Sequence, residues 1–112
     1  MGASSSSPAT AEMKDFITDQ IGSNKVVVFS KSYCPYCIRT KDLFKKEFSG
    51  INVVYHELDK RNDGPAMQGA LHSMSGQRTV PSVWIGGKFV GGNSETQSAF
   101  QSGELQTMLG LK

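Results

Sequence analysis

The stretch from Lys25 to Phe48 constrains the fold more than any other. "KVVVFS", Lys25–Ser30, is a compact run rich in β-branched residues, the mark of a strand buried on both faces. "KSYCPYCIRT" follows directly and holds both cysteines of the chain, Cys34 and Cys37. Beyond Pro35, residues Cys37, Thr40, Phe44 and Phe48 fall on one helical stripe, with Ile38 beside it. Lys41, Lys45 and Lys46 lie largely away from that stripe. A buried strand therefore runs straight into an amphipathic helix, with a C-x-x-C pair at the seam.

The remaining segments supply the rest of a sheet and its cover. Ala11, Phe16, Ile17 and Ile21 recur at roughly helical spacing, which predicts a helix from about Thr10 to Ile21, capped by Thr10 and stopped near Gly22. "NVVYHEL" reads as the second strand. The polar "DKRNDGP" leads to a helix over about Pro65–Met74, with proline in its first turn. "SGQRTVP" is a loop, and "SVWI" and "KFVG" are short strands joined at Gly86-Gly87, a hairpin turn suited to glycine. "GGNSETQSAF" reads as a glycine pivot and a capped helix, and "GELQTMLGLK" as a closing short helix. Strands joined through a helix should be parallel, in a right-handed unit, and the last two antiparallel. The expected class is α/β, a mixed sheet with helices on both faces.

Composition sets limits on function. A chain of 112 residues can bury a core as one domain without disulfide staples. At 38% hydrophobic and 20% charged it has the composition of an ordinary globule, and a net charge of +2 gives no reason to expect nucleic acid. No apolar run is long enough for a membrane span. Residues 1–11 read as a flexible Ser-rich leader before a domain over 12–112; Met1-Gly2 with Ser6 formally fits a myristoylation pattern, but a plain low-information tail is the simpler reading. The leader lacks both a secretory apolar core and the arginines of a transit peptide. Two cysteines without a secretion signal suggest a reducing compartment, and the cytoplasm is the expected location.

The position of the pair gives it chemical meaning. The strand delivers Cys34 to the carboxyl edge of the sheet, where active sites tend to sit in α/β folds. The helix starting near Pro35 presents free N–H groups and a positive pole, which favour a thiolate at Cys34. Pro35 loses no hydrogen bond there. Lys31 and Arg39 add positive potential. Cys37, one turn further in, should be more buried and less acidic. The expectation is an asymmetric pair, with Cys34 nucleophilic and Cys37 resolving.

Other uses of the pair fit less well. Zinc needs about four ligands, and only His56 and His72 remain, too widely spaced for a finger-type site, so no metal is expected. A disulfide closing so small a ring would constrain the unfolded chain little. Further along, Pro81 in "TVP" removes a ladder donor at a strand start; were Val80–Pro81 cis, the preceding backbone would face outward, free to pair with an extended peptide. "GGN", Gly91–Asn93, allows a close backbone approach and opens a helix whose N-terminus could hold a carboxylate. The glycine pairs do not form G-x-G-x-x-G, so no dinucleotide site is expected.

"SKSYCPYC", "GQRTVPSVWIGGKFVGG" and the spacing between them resemble a dithiol glutaredoxin of the CPYC class, over about Glu12–Lys112. The resemblance implies the thioredoxin fold, with a four-stranded mixed sheet. It implies a glutathione-dependent thiol-disulfide oxidoreductase, acting on disulfides and on mixed disulfides between proteins and glutathione. Cys34 resembles the nucleophile and Cys37 the resolving thiol. For glutathione binding, Tyr36 matches the aromatic wall, and Lys31 and Gln68 match contacts to the glycine carboxylate. Val80 matches the residue whose backbone pairs with the cysteinyl part before a cis-proline at Pro81, flanked by Thr79 and Arg78. Gly92, Asn93 and Ser94 match the helix start that receives the γ-glutamyl carboxylate. Many relatives carry Asp within this segment to meet the γ-glutamyl ammonium, whereas here the pair is Ser94-Glu95, which leaves the part played by Glu95 open.

The implied partners are glutathione as co-substrate, disulfide-bearing or glutathionylated proteins, and glutathione reductase indirectly. The implied state is a monomer without a tightly bound cofactor, and with neither nucleic acid nor membrane as partner. The alternative is a glutathione-ligated [2Fe-2S] binding module, as in some glutaredoxins; Pro35 disfavours it by stiffening the helix start. A thioredoxin fits less well, because Tyr33 stands where thioredoxins carry Trp and C-P-Y-C replaces C-G-P-C.

Overall fold

In a computed structural model, which describes residues 8–111, the chain forms helix α1 (Pro8–Ser23), strand β1 (Val26–Ser30), α2 (Pro35–Glu47), β2 (Val53–Glu57), a single 3-10 turn (Leu58–Lys60), α3 (Gly64–Ser75), β3 (Ser82–Ile85), β4 (Lys88–Gly91), α4 (Asn93–Ser102) and α5 (Glu104–Met108). The strand order is β2-β1-β3-β4. β1 runs parallel to β2, with Ser30 opposite Glu57, and antiparallel to β3, with Phe29 opposite Ser82. β3 and β4 form the antiparallel hairpin. This is the mixed sheet expected of the thioredoxin fold.

Strand periodicity divides the core in two. Val27 and Phe29 point to one face and meet Ile17 and Ile21 of α1, Met67 and Leu71 of α3, and Trp84. Val26 and Val28 point to the other and meet Leu43 and Phe44 of α2, Val83, and Leu105 and Leu109 near the C-terminus. Every β1 residue is buried because both faces are covered. Trp84 packs against Phe89 and donates its indole N–H to Ser82 Oγ at 2.9 Å, a packing role.

Several boundaries differ from the sequence reading. α1 starts before Thr10, which therefore lies within the helix and does not cap it, and the boundary expected at residue 12 falls inside this element. The Ser-rich segment and myristoylation pattern over 1–7 lie outside the described residues. α2 also buries Leu43, which the helical stripe read from the sequence did not include. β2 stops at Glu57 because Leu58 turns into the 3-10 segment, and it remains half-exposed as an edge strand. α3 opens at Gly64, where an added Cβ would lie 2.0 Å from the Leu58 carbonyl oxygen, so the close approach of turn and helix requires glycine. None of the helices among the described residues is long and apolar enough to cross a membrane.

Candidate active site

β1 and the N-terminus of α2 place the cysteines. Cys34 is the N-cap of α2, in extended conformation, and Pro35 opens the helix. The Cys34 amide donates to the Lys31 carbonyl at 3.2 Å, which closes the connecting turn. That turn is also held from outside: the Ser32 amide donates to Asp59 Oδ1 at 2.9 Å and the Ser32 hydroxyl to Oδ2. These bonds keep the Asp59 carboxyl below its ordinary value. Both cysteines are free thiols, Cys34 half-buried and Cys37 at 0% exposure.

The two sulfurs differ electrostatically as their positions require. At Cys34 desolvation opposes ionisation, but the Cys37 amide, the Cys37 thiol, the Tyr36 amide and the Lys31 charge outweigh it, so the thiol lies below its ordinary value. Burial pushes the Cys37 thiol up to about 12, against the pull of the Lys31 amide, which donates to Cys37 Sγ at 3.4 Å. The negative charges of Cys34 and Glu57 raise it further. Arg39 takes no part in this: its guanidinium lies over the Tyr36 ring, 5.2 Å from the centroid, rather than beside the sulfur. Tyr33 and Tyr36 stand exposed on either side of Cys34.

The antiparallel register carries the downstream half of the site to the same edge. The pairing ends at Phe29–Ser82, so Pro81 leads into β3 at the edge of the sheet where β1 ends. The Val80–Pro81 peptide bond is cis. Among the described residues, no hydrogen bond engages the Val80 amide or carbonyl. Gly92 caps α4 beside Pro81: an added Cβ there would lie 3.5 Å from the Pro81 carbonyl oxygen. The amides of Asn93 and Ser94 occupy the first turn of α4, where no intrahelical acceptor exists. The Asn93 side chain is turned away, its Oδ1 accepting from Thr40 Oγ1 at 3.0 Å and Gln97 Nε2 at 3.2 Å. Ser94 also borders a groove between β4, α4 and α5.

Lys31 and Gln68 line one groove of about 240 Å³ together with Tyr33 and Arg61. Gln68 Nε2 donates to the Arg78 carbonyl at 2.9 Å, tying α3 to the loop before Pro81. Arg78 and Thr79 are exposed on that loop.

Three residues escaped the sequence reading. Gln77 Nε2 donates to the carbonyls of Thr79 at 2.9 Å and Pro81 at 3.0 Å, so one side chain shapes the loop on both sides of Val80. Arg61 brings a second cation to the Lys31 groove, braced by Asp63 at 2.8 Å and by the Phe16 ring. Glu57 lies near Cys37, paired with Lys41 and accepting from Ser30 Oγ at 2.6 Å. No local pattern marks any of them; the S/T/D/N-x-x-E capping signal could have explained Glu95, though the N-cap here is glycine. Glu95 accepts from the Gly92 amide at 2.8 Å, so its carboxylate serves as a helix cap. That fold-back requires Gly91, at φ +136°, where a Cβ would lie 2.7 Å from the Glu95 side chain. His56, half-buried, stacks on Phe29 and meets Gln20 and Arg61, away from the cysteines. Among the described residues, no three His, Cys, Asp or Glu side chains cluster as a metal site.

Comparison with known proteins agrees with this geometry. The glutaredoxin family model matches residues 26–90. The chain is 47% identical over 106 residues to glutaredoxin-C4 of Arabidopsis thaliana, covering 95% of this chain and 77% of the relative. A buckwheat glutaredoxin–glutathione complex superposes with a TM-score of 0.86 at 41% identity, covering 91% of each chain. The holo form of glutaredoxin C1 from Populus tremula x tremuloides superposes with a TM-score of 0.86 at 36% identity, covering 93% of this chain and 92% of the other. The chain therefore belongs to the glutaredoxin family of oxidoreductases, and the C-x-x-C spacing of Cys34 and Cys37 is that of a dithiol glutaredoxin.

Proposed function

We propose that this protein uses glutathione to reduce mixed disulfides between proteins and glutathione, and disulfides, with Cys34 as the nucleophile. The observation that carries the reading is the opposed environment of the two sulfurs: one thiol drawn below its ordinary value at an exposed helix start, the other buried and pushed up to about 12. The likeness to a glutaredoxin–glutathione complex supports the choice of co-substrate.

The Cys34 thiolate attacks the glutathione sulfur of a mixed disulfide, the protein thiolate leaves and takes up a proton, and glutathione remains on Cys34. A second glutathione thiolate attacks that glutathione sulfur, forming glutathione disulfide and restoring the Cys34 thiolate. With a disulfide substrate, Cys37 closes onto Cys34 and two glutathiones reopen the ring. Glutathione reductase then acts on glutathione disulfide, not on this protein.

Glutathione itself fits the edge from both sides. Lys31, with Gln68 in the same groove, suits the glycine carboxylate, and Arg61 adds a charge there that sequence alone did not suggest. The unengaged Val80 backbone suits the cysteinyl amide, with Arg78, Thr79 and Pro81 shaping the loop and Tyr36 forming a wall. The amides of Asn93 and Ser94, following Gly92, suit the γ-glutamyl carboxylate.

A coupled assay with glutathione, NADPH and glutathione reductase on a small glutathione mixed disulfide tests this. Cys37→Ser should keep turning over and Cys34→Ser should not; substantial turnover by the Cys34 variant overturns the reading.

A further inference from the structure

We propose that the Glu57–Lys41 ion pair beneath Cys37 governs how fast the glutathione mixed disulfide on Cys34 closes into the Cys34–Cys37 ring, Glu57 restraining closure and Lys41 promoting it. The inference rests on the reading of Cys34 as nucleophile and adds what decides the fate of its intermediate.

The placement follows from the fold. Ser30, Tyr55 and Glu57 share the sheet face covered by α2, since Tyr55 packs with Val28 and Phe44 on that side and residues alternate along a strand. Ser30 Oγ donates to Glu57 Oε1 at 2.6 Å, and the next amide, that of Lys31, donates to Cys37 Sγ at 3.4 Å. Lys41 lies one helical turn beyond Cys37 on α2 and pairs with the other Glu57 oxygen. Glu57 is thus held by residues that flank Cys37 in the loop and along the helix.

The charges that act on Cys37 are those of Cys34, at the helix start, and Glu57, on β2. Lys31 of the loop acts by charge on Cys34, and Lys41 of α2 reaches Glu57 and lies over the Tyr55 ring, 5.4 Å from its centroid. Tyr55 stays neutral, because burial, with Glu57 adding to it, pushes its hydroxyl up to about 12. α4 contributes the neutral Asn93 and Gln97 next to Thr40.

Formation of the mixed disulfide changes this balance. Once glutathione is bonded to Cys34, the Cys34 sulfur carries no charge. Burial still holds Cys37 as a thiol, and Glu57 is then the anion that adds to that hold. Closure requires the Cys37 thiolate to attack the Cys34 sulfur: a Cys37–Cys34 bond forms, the bond from Cys34 to glutathione breaks, and glutathione leaves with the electron pair. The proton lost by Cys37 ends on the departing glutathione, so a thiol and a mixed disulfide become a ring disulfide and a thiol. By adding to the hold that burial has on the Cys37 proton, Glu57 prolongs the intermediate for attack by a second glutathione. Lys41 tempers that effect.

The two members of the pair should therefore act with opposite signs. Lowering the Cys37 pKa by one raises its thiolate fraction about tenfold, and the accompanying loss of nucleophilicity leaves closure about threefold faster. The full chain is mixed with glutathione disulfide at pH 8, quenched in acid on the millisecond-to-second scale, and analysed by mass spectrometry for glutathionylated and ring forms. Glu57→Gln should close about threefold or more faster than the parent, and Lys41→Met slower by a similar factor. Disruption of packing would move both variants the same way. Movement in one direction by both, or no change in either, overturns the proposal. The Cys37→Ser chain, with Glu57 and Lys41 intact, reports separately on the underlying reading: it should accumulate glutathione on Cys34, and failure to do so condemns that reading rather than the role of the ion pair.

Discussion

The cysteine edge, Ser30–Thr40, and the frame opposite it, Gln77–Glu95, meet at one end of the sheet but are held by different means. The cysteine edge is continuous backbone: a buried strand, a short turn and the first turns of a helix. Two of the groups that draw Cys34 below its ordinary value are the Cys37 and Tyr36 amides, whose directions the helix dictates. The frame is assembled from single side chains reaching back to the main chain: Gln77 to Thr79 and Pro81, Gln68 to Arg78, Glu95 to Gly92. Thr40 and Asn93 join the halves at 3.0 Å. A region shaped by secondary structure tolerates surface change, whereas a frame made of individual bonds is exposed to single substitutions. Chemistry and recognition should therefore fail separately.

The largest test of that separation is chemical. Cys34→Ser should lower turnover in the glutathione-coupled assay to background while leaving the frame and the fold intact, as circular dichroism would show. Residual turnover within tenfold of the parent would mean that reactivity does not reside at this helix start.

The next effect lies in the frame. Gln77→Ala leaves two carbonyls around Val80 without their donor, a change of about 0.5–1.5 kcal/mol per hydrogen bond. KM for a glutathione mixed disulfide should rise about tenfold with kcat within about twofold. A fall in kcat with KM unchanged would place Gln77 with the chemistry instead and erase the distinction.

Smaller again is Glu95→Ala. Loss of the bond to the Gly92 amide should cost about 1 kcal/mol in denaturant unfolding, as for other helix caps. Apparent glutathione affinity should stay the same, because the carboxylate is engaged with its own helix. A clear loss of affinity would return Glu95 to the binding site and show that capping and recognition share one group.

The smallest effect lies outside both halves and serves as their control. Burial, with the Arg61 charge adding to it, holds the His56 imidazole below its ordinary value of 6.5. Below pH 6.5 the unfolded chain therefore binds the proton first, so this contribution to stability is present above 6.5 and is lost as pH falls through the lower folded value. His56→Asn should flatten that acid-side decline in unfolding midpoint without altering the pH dependence of Cys34 alkylation. A shift in the alkylation profile would connect this cluster to the active edge.

Much of the cysteine edge was legible in the sequence because its determinants are local. The β-branched run in "KVVVFS", the stripe at Cys37, Thr40, Phe44 and Phe48, and Pro35 at a helix start each state a conformation within a few residues. The frame was legible only where a residue type is itself a conformational signal, as at Pro81 and Gly91-Gly92. The N-terminal helix was the poorest reading, since Thr10 looks like a cap yet the helix extends beyond it. Arg39 beside the cysteines suggested a charge for Cys34, but its partner proved to be the Tyr36 face.

By itself, then, the sequence determined the order and type of elements, the parallel β1–β2 unit, the hairpin, and the inequality of Cys34 and Cys37, because backbone preference and helix polarity act over short spans. Only the tertiary structure decided that Gln77 shapes the loop around Val80, that Glu95 caps its own helix, that Arg61 joins Lys31, and that Glu57 pairs with Lys41. The physical reason is common to all four. Glutamine, glutamate, arginine and lysine are long, polar and free to rotate, so their partners are chosen by what the folded chain brings within reach and not by their neighbours in sequence.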